Sequence, residues 1–482
     1  MKIKTKQRLR KPRLFLLIVA LSMVLLPVSC AKKKANEKVK IILISVDTLR
    51  GDHLSSAGYF RDTTPNLSKL IEDSAYYTHA YTNGCWTVPA HMSLLTGTLP
   101  SKHGINSDWA SVHDYKKFPK LNQTIINIAE SLKQHNKDIK TVKFAALPKE
   151  LGFGNGFEKD HRIDPFGDSK NFNKLLKALE ENKEKDFFFF IHTWMVHAPY
   201  SNCHFLGDEK IAKEQRDYIN NFRKAVKNEG RLTHAFMKYL KEINLFNIND
   251  CIILYDSGIH YVDRFMGELI NKCRQLGIYE DLLIIVTADH GEHFNEHSRN
   301  RFYNYHGKEF YEEFIKVPLI IKYPREYKTG KIDRPVSLID VFPTVLDFFD
   351  IRYPNFIQGE SLLTPQRKRK IKYIVSEAIS ESESEKKMLR VGNLKYIITM
   401  DKPAKPERVN WDLIVRRKLF DLENDPLEKN NLYKDLKFRG ISIALEKMLL
   451  KIITKSSRVN RSGGEVGISQ ETLDQMKALG YL

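Results

Sequence analysis

The stretch Val39-Lys-Ile-Ile-Leu-Ile-Ser-Val46, followed at once by Asp47 and Thr48, decides the fold. A nearly continuous apolar run of this length, rich in β-branched residues, predicts a strand that is buried on both faces of a parallel sheet. Similar runs recur at Phe187–Ile191, Leu282–Val286 and Val317–Ile321. Because helical patterns separate the runs, the chain is predicted to form a doubly wound α/β/α sandwich of parallel strands covered by helices.

The organisation of the chain follows from these patterns and from a change of pattern near Gln358. Helices are predicted at Leu121–Gln134, Phe172–Asn182, Ile259–Gln275 and Asp340–Phe349. After a charged stretch, strand-like pieces at Lys395–Thr399 and Lys418–Asp421 predict a small antiparallel sheet. The predicted units are a leader at 1–30, a linker at 31–38, a main domain at 39–365 and a C-terminal α+β subdomain with its tail at 366–482.

The first thirty residues have the pattern of an export signal. Seven cations precede an apolar run, Leu14–Val28, which is followed by Ser29 and Cys30. A basic start, a short apolar segment and a small residue before a break are typical of a secretory leader. Cys30 resembles the lipid acceptor of a bacterial lipoprotein, and lipidation there would anchor the protein to a membrane. The alternative is an uncleaved signal anchor, and both interpretations place the main domain outside the cytoplasm.

The charge of the chain favours acidic partners. The formal net charge is +19, and subtracting the seven positive charges of the leader leaves +12 for the rest. Such an excess attracts anionic glycans, sulfated or phosphorylated molecules and lipid headgroups. Nucleic acid is not an expected partner, because the basic residues are scattered and no recognition motif accompanies them.

Three of the predicted strands end in polar residues that suit a metal site. The first leads into Asp47, the second into His192 and His197, and the third into Asp289 and His290. Ligands of open parallel sheets bind beyond the carboxyl ends of the strands, where such residues converge. Carboxylate oxygens and an imidazole nitrogen suit a hard or borderline divalent cation, with calcium, manganese and zinc all compatible.

Thr87 is a candidate nucleophile at the start of a helix. Pro89 suits the first helical turn, and Thr87 is predicted to lie just before it, where its hydroxyl caps the helix. A hydroxyl there faces free N–H groups and the positive end of the helix dipole. A bound cation would depress the pKa of the hydroxyl further.

Eight motifs, in order and at similar spacing from about Lys40 to the C-terminus, make the chain resemble the sulfatase family of the alkaline phosphatase superfamily. They are Val46-Asp-Thr-Leu-Arg-Gly-Asp-His-Leu54, Thr64-Pro-Asn-Leu67, Thr87-Val-Pro-Ala-His91 with Leu94-Leu-Thr-Gly97, His197-Ala-Pro-Tyr200, Thr287-Ala-Asp-His-Gly-Glu292, Tyr311-Glu-Glu with Val317-Pro-Leu-Ile320, Ile339-Asp-Val-Phe-Pro-Thr344 and Phe420-Asp-Leu-Glu-Asn-Asp-Pro426. The resemblance implies an alkaline-phosphatase-like fold, with residues 39–365 as the catalytic domain of an ester hydrolase.

The resemblance also implies roles for individual residues. Asp47, Asp289 and His290, together with Thr87, would bind one divalent cation, and Thr87 would be the nucleophile. The other implied residues lie at positions that orient the nucleophile, contact the anionic oxygens of the substrate or protonate the leaving group. They are His91, His197, Lys308 and, as a weaker candidate, His306.

Two departures from the family pattern bear on the substrate. Typical sulfatases carry a cysteine or serine that is oxidised to formylglycine, whereas threonine at position 87 cannot form that aldehyde. Thr48 replaces a further metal-binding aspartate of many relatives. Relatives with a threonine nucleophile often act on phosphorus esters. The expected substrate is therefore a sulfated or phosphorylated glycan, lipid or small molecule, and both ester classes stay open.

Several alternatives stand beside this interpretation. Asp256 and His260 lie four residues apart on a predicted helix and suggest a two-metal phosphodiesterase site. A phosphonate monoester hydrolase, a phosphoethanolamine-type transferase and a non-catalytic glycan-binding lipoprotein are further readings of the same chain. His293 and His297 suggest zinc ligands, but a polar loop beside the active site is the preferred interpretation, because no rigid helical spacing is evident there.

Overall fold

The computed structural model describes most of the chain after the predicted leader. The described residues are 38–105, 118–198, 200, 202, 204–206, 248–294, 296–297, 309–325, 330–379, 384–401, 413–457, 465–466 and 469–470. The predicted leader, the linker up to residue 37 and Cys30 lie outside this part of the chain. Within it, no helix combines the length and the apolar character that crossing a membrane requires.

A mixed sheet of nine strands forms the core of the described structure. The described residues form fifteen strands, of which nine belong to this sheet, four to a second sheet and two, β3 and β15, pair with each other. In chain order they are β1 Lys40–Val46, β2 Ala75–Tyr81, β3 Phe118–Pro119, β4 Lys140–Phe144, β5 Lys159–His161, β6 Phe187–Thr193, β7 Leu283–Thr287, β8 Lys316–Lys322, β9 Gly330–Ile332, β10 Val336–Ser337, β11 Tyr373–Ile379, β12 Ser384–Val391, β13 Leu394–Asp401, β14 Ile414–Asp421 and β15 Glu465–Val466. The order in the main sheet is β10, β2, β8, β7, β1, β6, β4, β5, with β9 also paired to β2.

Strand β1 lies at the centre of this sheet. β1 is buried along its whole length and pairs in parallel with β6 on one side and β7 on the other. Its neighbour β6 carries four phenylalanines, Phe187 to Phe190, that are all buried. Because these three central strands are parallel, their carboxyl ends share one edge of the sheet, as predicted.

One predicted parallel strand runs the other way. The run at Val317–Ile321 forms β8, which is antiparallel to both β7 and β2. A short helix at Glu312–Ile315 leads directly into β8, starting from the edge at which β7 ends. The chain therefore enters β8 at that edge and must run back across the sheet. The prediction of a wholly parallel sheet is wrong at this position, and the sheet is mixed.

The helices follow the predicted patterns, with shifted starts. In chain order they are α1 Pro65–Glu72, α2 Thr87–Thr96, α3 Pro100–His103, α4 Ile128–His135, α5 Ser169–Asn182, α6 Ile248–Gln275, α7 Glu312–Ile315, α8 Val341–Phe348 and α9 Arg439–Ser457. α4 begins seven residues later than predicted, because Asn127 and Glu130 form a reciprocal capping box that fixes its first turn. α6 begins well before the predicted Ile259 and is the longest helix described.

A second sheet follows the main one in sequence. β11, β12, β13 and β14 form an antiparallel meander in that order, as the strand-like pieces predicted. The apolar side chains of this sheet pack with α9 in a cluster that also includes Leu99 and Ile339 of the main unit. The predicted boundary between residues 365 and 366 stays a prediction.

Candidate functional site

Asp47 lies at the carboxyl end of β1, where the backbone makes a constrained turn. The next residue, Thr48, has a φ of 58°, a left-handed conformation that is rare for a β-branched residue. Two contacts hold the turn: Thr48 N–H donates to Asp289 Oδ1 over 3.2 Å, and the Tyr255 hydroxyl donates to the Thr48 carbonyl over 2.6 Å. Strained backbone of this kind is typical of functional sites.

Asp289 and His290 follow β7 and point toward Asp47. Asp289 Oδ1 accepts from the His290 N–H over 2.8 Å as well as from Thr48. His290 Nδ1 lies 2.9 Å from the Gly291 carbonyl, which only accepts, so Nδ1 is the protonated nitrogen. Nε2 of the neutral ring is then left to face Asp47 Oδ1 at 3.6 Å and Asp289 Oδ2 at 3.5 Å.

These three side chains fit a divalent cation. Their ligand atoms lie within 4.8 Å of one another, and all three residues are fully buried. Asp289 Oδ2 accepts no hydrogen bond from the described residues although it is buried, which is costly for a carboxylate oxygen without a cation. The outward Nδ1 hydrogen bond of His290 is the contact that usually orients a metal-ligating histidine.

The electrostatics of the two carboxylates reflect how closely they are placed. Burial and the neighbouring charge of Asp47 raise the pKa of Asp289 well above its usual value. Burial also raises the pKa of Asp47, but the hydrogen bond from His192 and the charges of His197 and His290 outweigh it and hold that pKa well below its usual value. Positive charge is therefore what this cluster requires.

Thr87 reaches the same cluster from α2. Helix α2 begins at Thr87 itself, with Trp86 in the N-cap position and no side chain capping the helix. The prediction that Thr87 caps the helix is wrong by one residue. Thr87 already lies inside the first turn, so its hydroxyl does not cap the helix. Thr87 Oγ lies 3.4 Å from His290 Nε2, which places it beside the three candidate metal ligands.

His91, one turn farther along α2, contacts the backbone of the nucleophile position. Its Nδ1 donates to the Thr87 carbonyl over 2.8 Å, and its Nε2 lies 2.9 Å from the Ser45 hydroxyl on β1. Burial, with the charge of His192 next, lowers the pKa of His91 well below its usual value, so the ring is neutral. His91 thus ties the first turn of α2 to the central strand.

His192 was predicted to lie at the same edge of the sheet as Asp47, but no specific role was predicted for it. It is the register partner of Ser45 in the pairing of β6 with β1, and its Nε2 lies 3.3 Å from Asp47 Oδ2. Its ring is also 4.4 Å from that of His91. The available signal was a histidine at the end of an apolar strand, parallel to the strand that leads into Asp47.

His197 lies in the loop after β6. It is buried, and its Nδ1 donates to the Ala198 carbonyl over 2.5 Å. The start of this loop is anchored by Asp164, whose Oδ2 accepts from the Thr193 hydroxyl and from the Trp194 N–H, both at 2.9 Å. Asp164 therefore fixes the path of the chain between His192 and His197.

The Asp164 anchor predicts a pH dependence of stability. Burial raises the pKa of Asp164 from 3.8 to about 6, despite three hydrogen bonds that lower it. Between these values the unfolded chain ionises while the folded one does not, so the free energy of unfolding falls as pH rises. The loss between about pH 4 and pH 7 is about 3 kcal/mol at most. Denaturant titration of the wild type and of Asp164→Asn over this range measures it.

The expected result is that the free energy of unfolding depends differently on pH in the two proteins. The variant should lack the wild type's fall in free energy of unfolding, whatever its absolute stability, which also changes because an amide nitrogen cannot accept from Trp194. Parallel pH profiles for the two proteins would contradict the assignment.

Of four further candidates, two lie outside the described residues and two have other contacts. Lys308 and His306 lie outside the described residues. Asp256, proposed for a second metal, instead contacts His53 Nδ1 at 2.7 Å, the Tyr59 hydroxyl at 2.8 Å and Arg61 at 2.6 Å. His260 stacks on His204. Because the Asp256 carboxylate is neutralised by this network, the geometry does not support the two-metal interpretation.

Comparison with known proteins identifies the family of the chain. A family model described as "Sulfatase" matches residues 40–351. Bovine arylsulfatase K is 31% identical over 248 residues, which are 49% of this chain and 40% of that enzyme. The N-acetylglucosamine-6-O-sulfatase of Bacteroides thetaiotaomicron is 23% identical over 84% of this chain and 85% of its own length. The chain thus spans less than half the length of the arylsulfatase K that it matches.

The fold is shared with a solved phosphorus ester hydrolase as well. The crystal structure of the phosphonate monoester hydrolase of Agrobacterium radiobacter matches with a TM-score of 0.62 at 17% identity. The match covers 87% of this chain and 96% of that one. A likeness at this identity establishes the architecture.

Proposed function

This chain belongs to the sulfatase family of hydrolases, and from that premise we propose that it cleaves anionic esters in a metal-dependent reaction with Thr87 as the nucleophile. One observation carries the proposal: Thr87 Oγ lies 3.4 Å from His290 Nε2, beside the buried carboxylates of Asp47 and Asp289. A hydroxyl, two carboxylates and an imidazole brought together from three separate segments are the groups that metal-assisted attack on an ester requires.

The nucleophile is placed where negative charge can be accommodated. Thr87 is the first residue of α2, so its Oγ lies at the positive end of the helix dipole. In the first turn Pro89 has no N–H, and the Ala90 N–H donates to the Trp86 carbonyl. The N–H groups of Thr87 and Val88 are left as donors to the anionic oxygens of the substrate.

The reaction is a double displacement. Thr87 Oγ loses its proton to solvent and attacks the sulfur or phosphorus atom, the ester oxygen departs, and His197 gives that oxygen a proton. Water then cleaves the threonine ester at sulfur or phosphorus and restores the hydroxyl. A divalent cation held by Asp47, Asp289 and His290 would supply the Lewis acidity that lowers the pKa of the hydroxyl and balances the developing charge.

The preferred ester class is inferred from the way in which a threonine ester intermediate is cleaved. A formylglycine hydrate expels sulfate by elimination, whereas a threonine ester must be attacked by water, a route well attested for phosphoryl transfer. A relative that covers most of the chain is named for a sulfated sugar, and a structural neighbour for a phosphonate monoester. We place a phosphate or phosphonate ester first and a sulfated glycan second, both suited to a chain of net positive charge.

A paired assay of the purified mature protein tests the proposal. The substrates are an aryl sulfate, a phosphate monoester, a phosphate diester and a phosphonate monoester, each with the wild type and with Thr87→Ala. We expect turnover of a phosphorus ester that the variant lacks. Turnover of the aryl sulfate alone would make a sulfate ester the preferred substrate instead of a phosphorus ester. Equal turnover by both proteins would rule out Thr87 as the nucleophile.

We also propose that the enzyme is exported and tethered to a membrane through Cys30. The support is the leader pattern at residues 1–30, which ends in this cysteine. In a bacterial host, labelled palmitate should be incorporated into the wild type and not into Cys30→Ala. Equal labelling of the two proteins would contradict the anchor.

A further inference from the structure

Helix α9, Arg439–Ser457, has one face that the second sheet covers and one face that stays exposed. The covered face carries Leu445, Leu449 and Ile453, which repeat every four residues and pack with the apolar side chains of that sheet. The opposite face, with the turns that precede the helix, presents cationic and apolar side chains to solvent. This face is therefore available to a partner outside the chain.

The exposed cations of this region are concentrated in two places. Three lysines follow one another at intervals of four residues, so their side chains share one face of the helix: Lys447, Lys451 and Lys455. Three more exposed cations lie at the beginning of the helix and just before it: Lys434, Lys437 and Arg439. The three lysines of the row span about 12 Å along the helix axis.

The carboxylates of the same stretch do not neutralise these cations. Residues 434–455 include two carboxylates, Asp435 and Glu446. Glu446 is buried and accepts from Arg417 and from the Tyr396 hydroxyl, whereas Asp435 accepts from the Lys437 N–H over 2.9 Å. None of the six cationic side chains forms an ion pair with a carboxylate of the described residues. The region thus carries a local excess of positive charge.

Large apolar side chains are exposed among these cations. Leu436 is 80% exposed, and Ile441 and Ile443 are 42% and 45% exposed. Ile443 lies four residues before Lys447 and so continues the row of lysines toward the start of the helix. We call these three apolar residues and the six cations the α9 surface. One exposed apolar side chain is ordinary on a protein, but a group of them beside an excess of cations indicates an interaction site.

We propose that the α9 surface docks on an anionic lipid membrane. The lysines and Arg439 contact the anionic headgroups, and Leu436, Ile441 and Ile443 enter the boundary between the headgroups and the acyl chains. A soluble anionic polymer would pair with the cations alone and would leave the exposed leucine and isoleucines without a function. A lipid surface offers a complement to both kinds of side chain.

This docking is independent of the lipid anchor proposed at Cys30. A single acyl chain gives reversible membrane binding, and a second contact, such as a basic patch, makes the binding stable. The α9 surface would also determine which side of the protein faces the bilayer, which an anchor at one end of the chain does not do.

Vesicle binding tests the proposal on the purified mature protein without lipid at Cys30. The wild type should bind vesicles of equimolar phosphatidylcholine and phosphatidylglycerol more tightly than vesicles of phosphatidylcholine alone, and added salt should weaken this binding by screening. The triple variant Lys447→Gln, Lys451→Gln and Lys455→Gln should bind about 100-fold more weakly, because each lysine near an anionic surface contributes about fivefold. Leu436→Ser should weaken binding about tenfold, because the leucine is no longer buried.

The matched control removes three exposed lysines from another helix. It is the triple variant Lys170→Gln, Lys174→Gln and Lys177→Gln on α5, which has the same net charge as the α9 variant. It should bind within about threefold of the wild type, because charges beyond the Debye length of the membrane contribute little. Vesicle binding does not depend on turnover, so its failure leaves the proposal for Thr87 untouched.

Three outcomes would overturn the proposal. Equal binding by the two triple variants would show that net charge, and not the α9 surface, drives association. If the α9 lysine variant loses binding while Leu436→Ser keeps it, the surface binds a polyanion without entering a membrane. Equal binding of the wild type to the two kinds of vesicle would exclude recognition of anionic headgroups, and this measurement requires no variant to fold.

Discussion

Thr87→Ala is expected to lower turnover of the preferred ester by about 10⁴-fold or more, the scale seen when a covalent nucleophile is removed. The change deletes the one hydroxyl that lies at the start of α2 and 3.4 Å from His290 Nε2. The helix should persist, because the Thr87 side chain does not cap it. Steady-state rates of wild type and variant, at equal protein and metal concentrations, measure the effect.

Two matched variants separate chemistry from structure. Thr87→Ser keeps the hydroxyl and should stay within about tenfold of the wild type. Thr96→Ala removes a buried hydroxyl at the other end of the same helix, where it donates to the Met92 carbonyl over 2.6 Å, and should not change the chemical step. If Thr96→Ala loses as much activity as Thr87→Ala, general damage to α2 explains both results.

A trapped intermediate gives independent evidence. Acid quenching during turnover should leave a phosphoryl or sulfuryl group on the peptide that contains Thr87, as a mass shift absent from Thr87→Ala. A modification on another residue would show that this residue, and not Thr87, is the nucleophile.

Asp289→Asn is expected to abolish binding of the cation proposed at Asp47, Asp289 and His290 and to lower turnover by about 10³-fold. Loss of a Lewis acid removes several kcal/mol of transition-state stabilisation, and 1.36 kcal/mol corresponds to a factor of ten. Asparagine keeps an oxygen at the Oδ1 position, where Asp289 accepts from the Thr48 and His290 N–H groups. The backbone turn is therefore retained, and the change falls on Oδ2, which faces His290 Nε2 at 3.5 Å.

The control for this variant is Asp263→Asn, at a buried carboxylate outside the candidate site. Asp263 accepts from the Asn66 and Leu67 N–H groups at 2.9 and 2.7 Å and contacts none of the candidate ligands in the described structure. It should lower stability and leave metal content and turnover per folded molecule unchanged. Wild-type turnover by Asp289→Asn, or full activity of a chelator-treated wild type, would refute a catalytic role for the cation.

The strands could be predicted because each is a local pattern. β1, β6 and β7 are short apolar runs that can be stable only when both faces are covered, so their burial and parallel pairing follow from composition. The direction of β8 could not be predicted in this way, because it depends on the edge of the sheet at which the preceding loop ends. α4 was placed too early because its capping box, rather than its hydrophobic pattern, sets its first turn.

The residues of the candidate site were predictable to the extent that strand ends converge. Asp47, Asp289 and His290 follow adjacent parallel strands, and the family pattern added Thr87. His192 was missed as a partner of Asp47 because the contact depends on the register that pairs it with Ser45. Ser45 itself gave no signal, since a serine in an apolar strand is unremarkable until His91 is found beside it.

The sequence by itself determined the central strands, the polar residues that end them and the residue type at the nucleophile position. These features depend on neighbours a few residues apart, whose conformational preferences and burial the local pattern records. Only the tertiary structure decided that His192 lies against Asp47, because that contact depends on the register in which β6 pairs with β1. Packing between distant segments fixes such distances, and no local pattern encodes them.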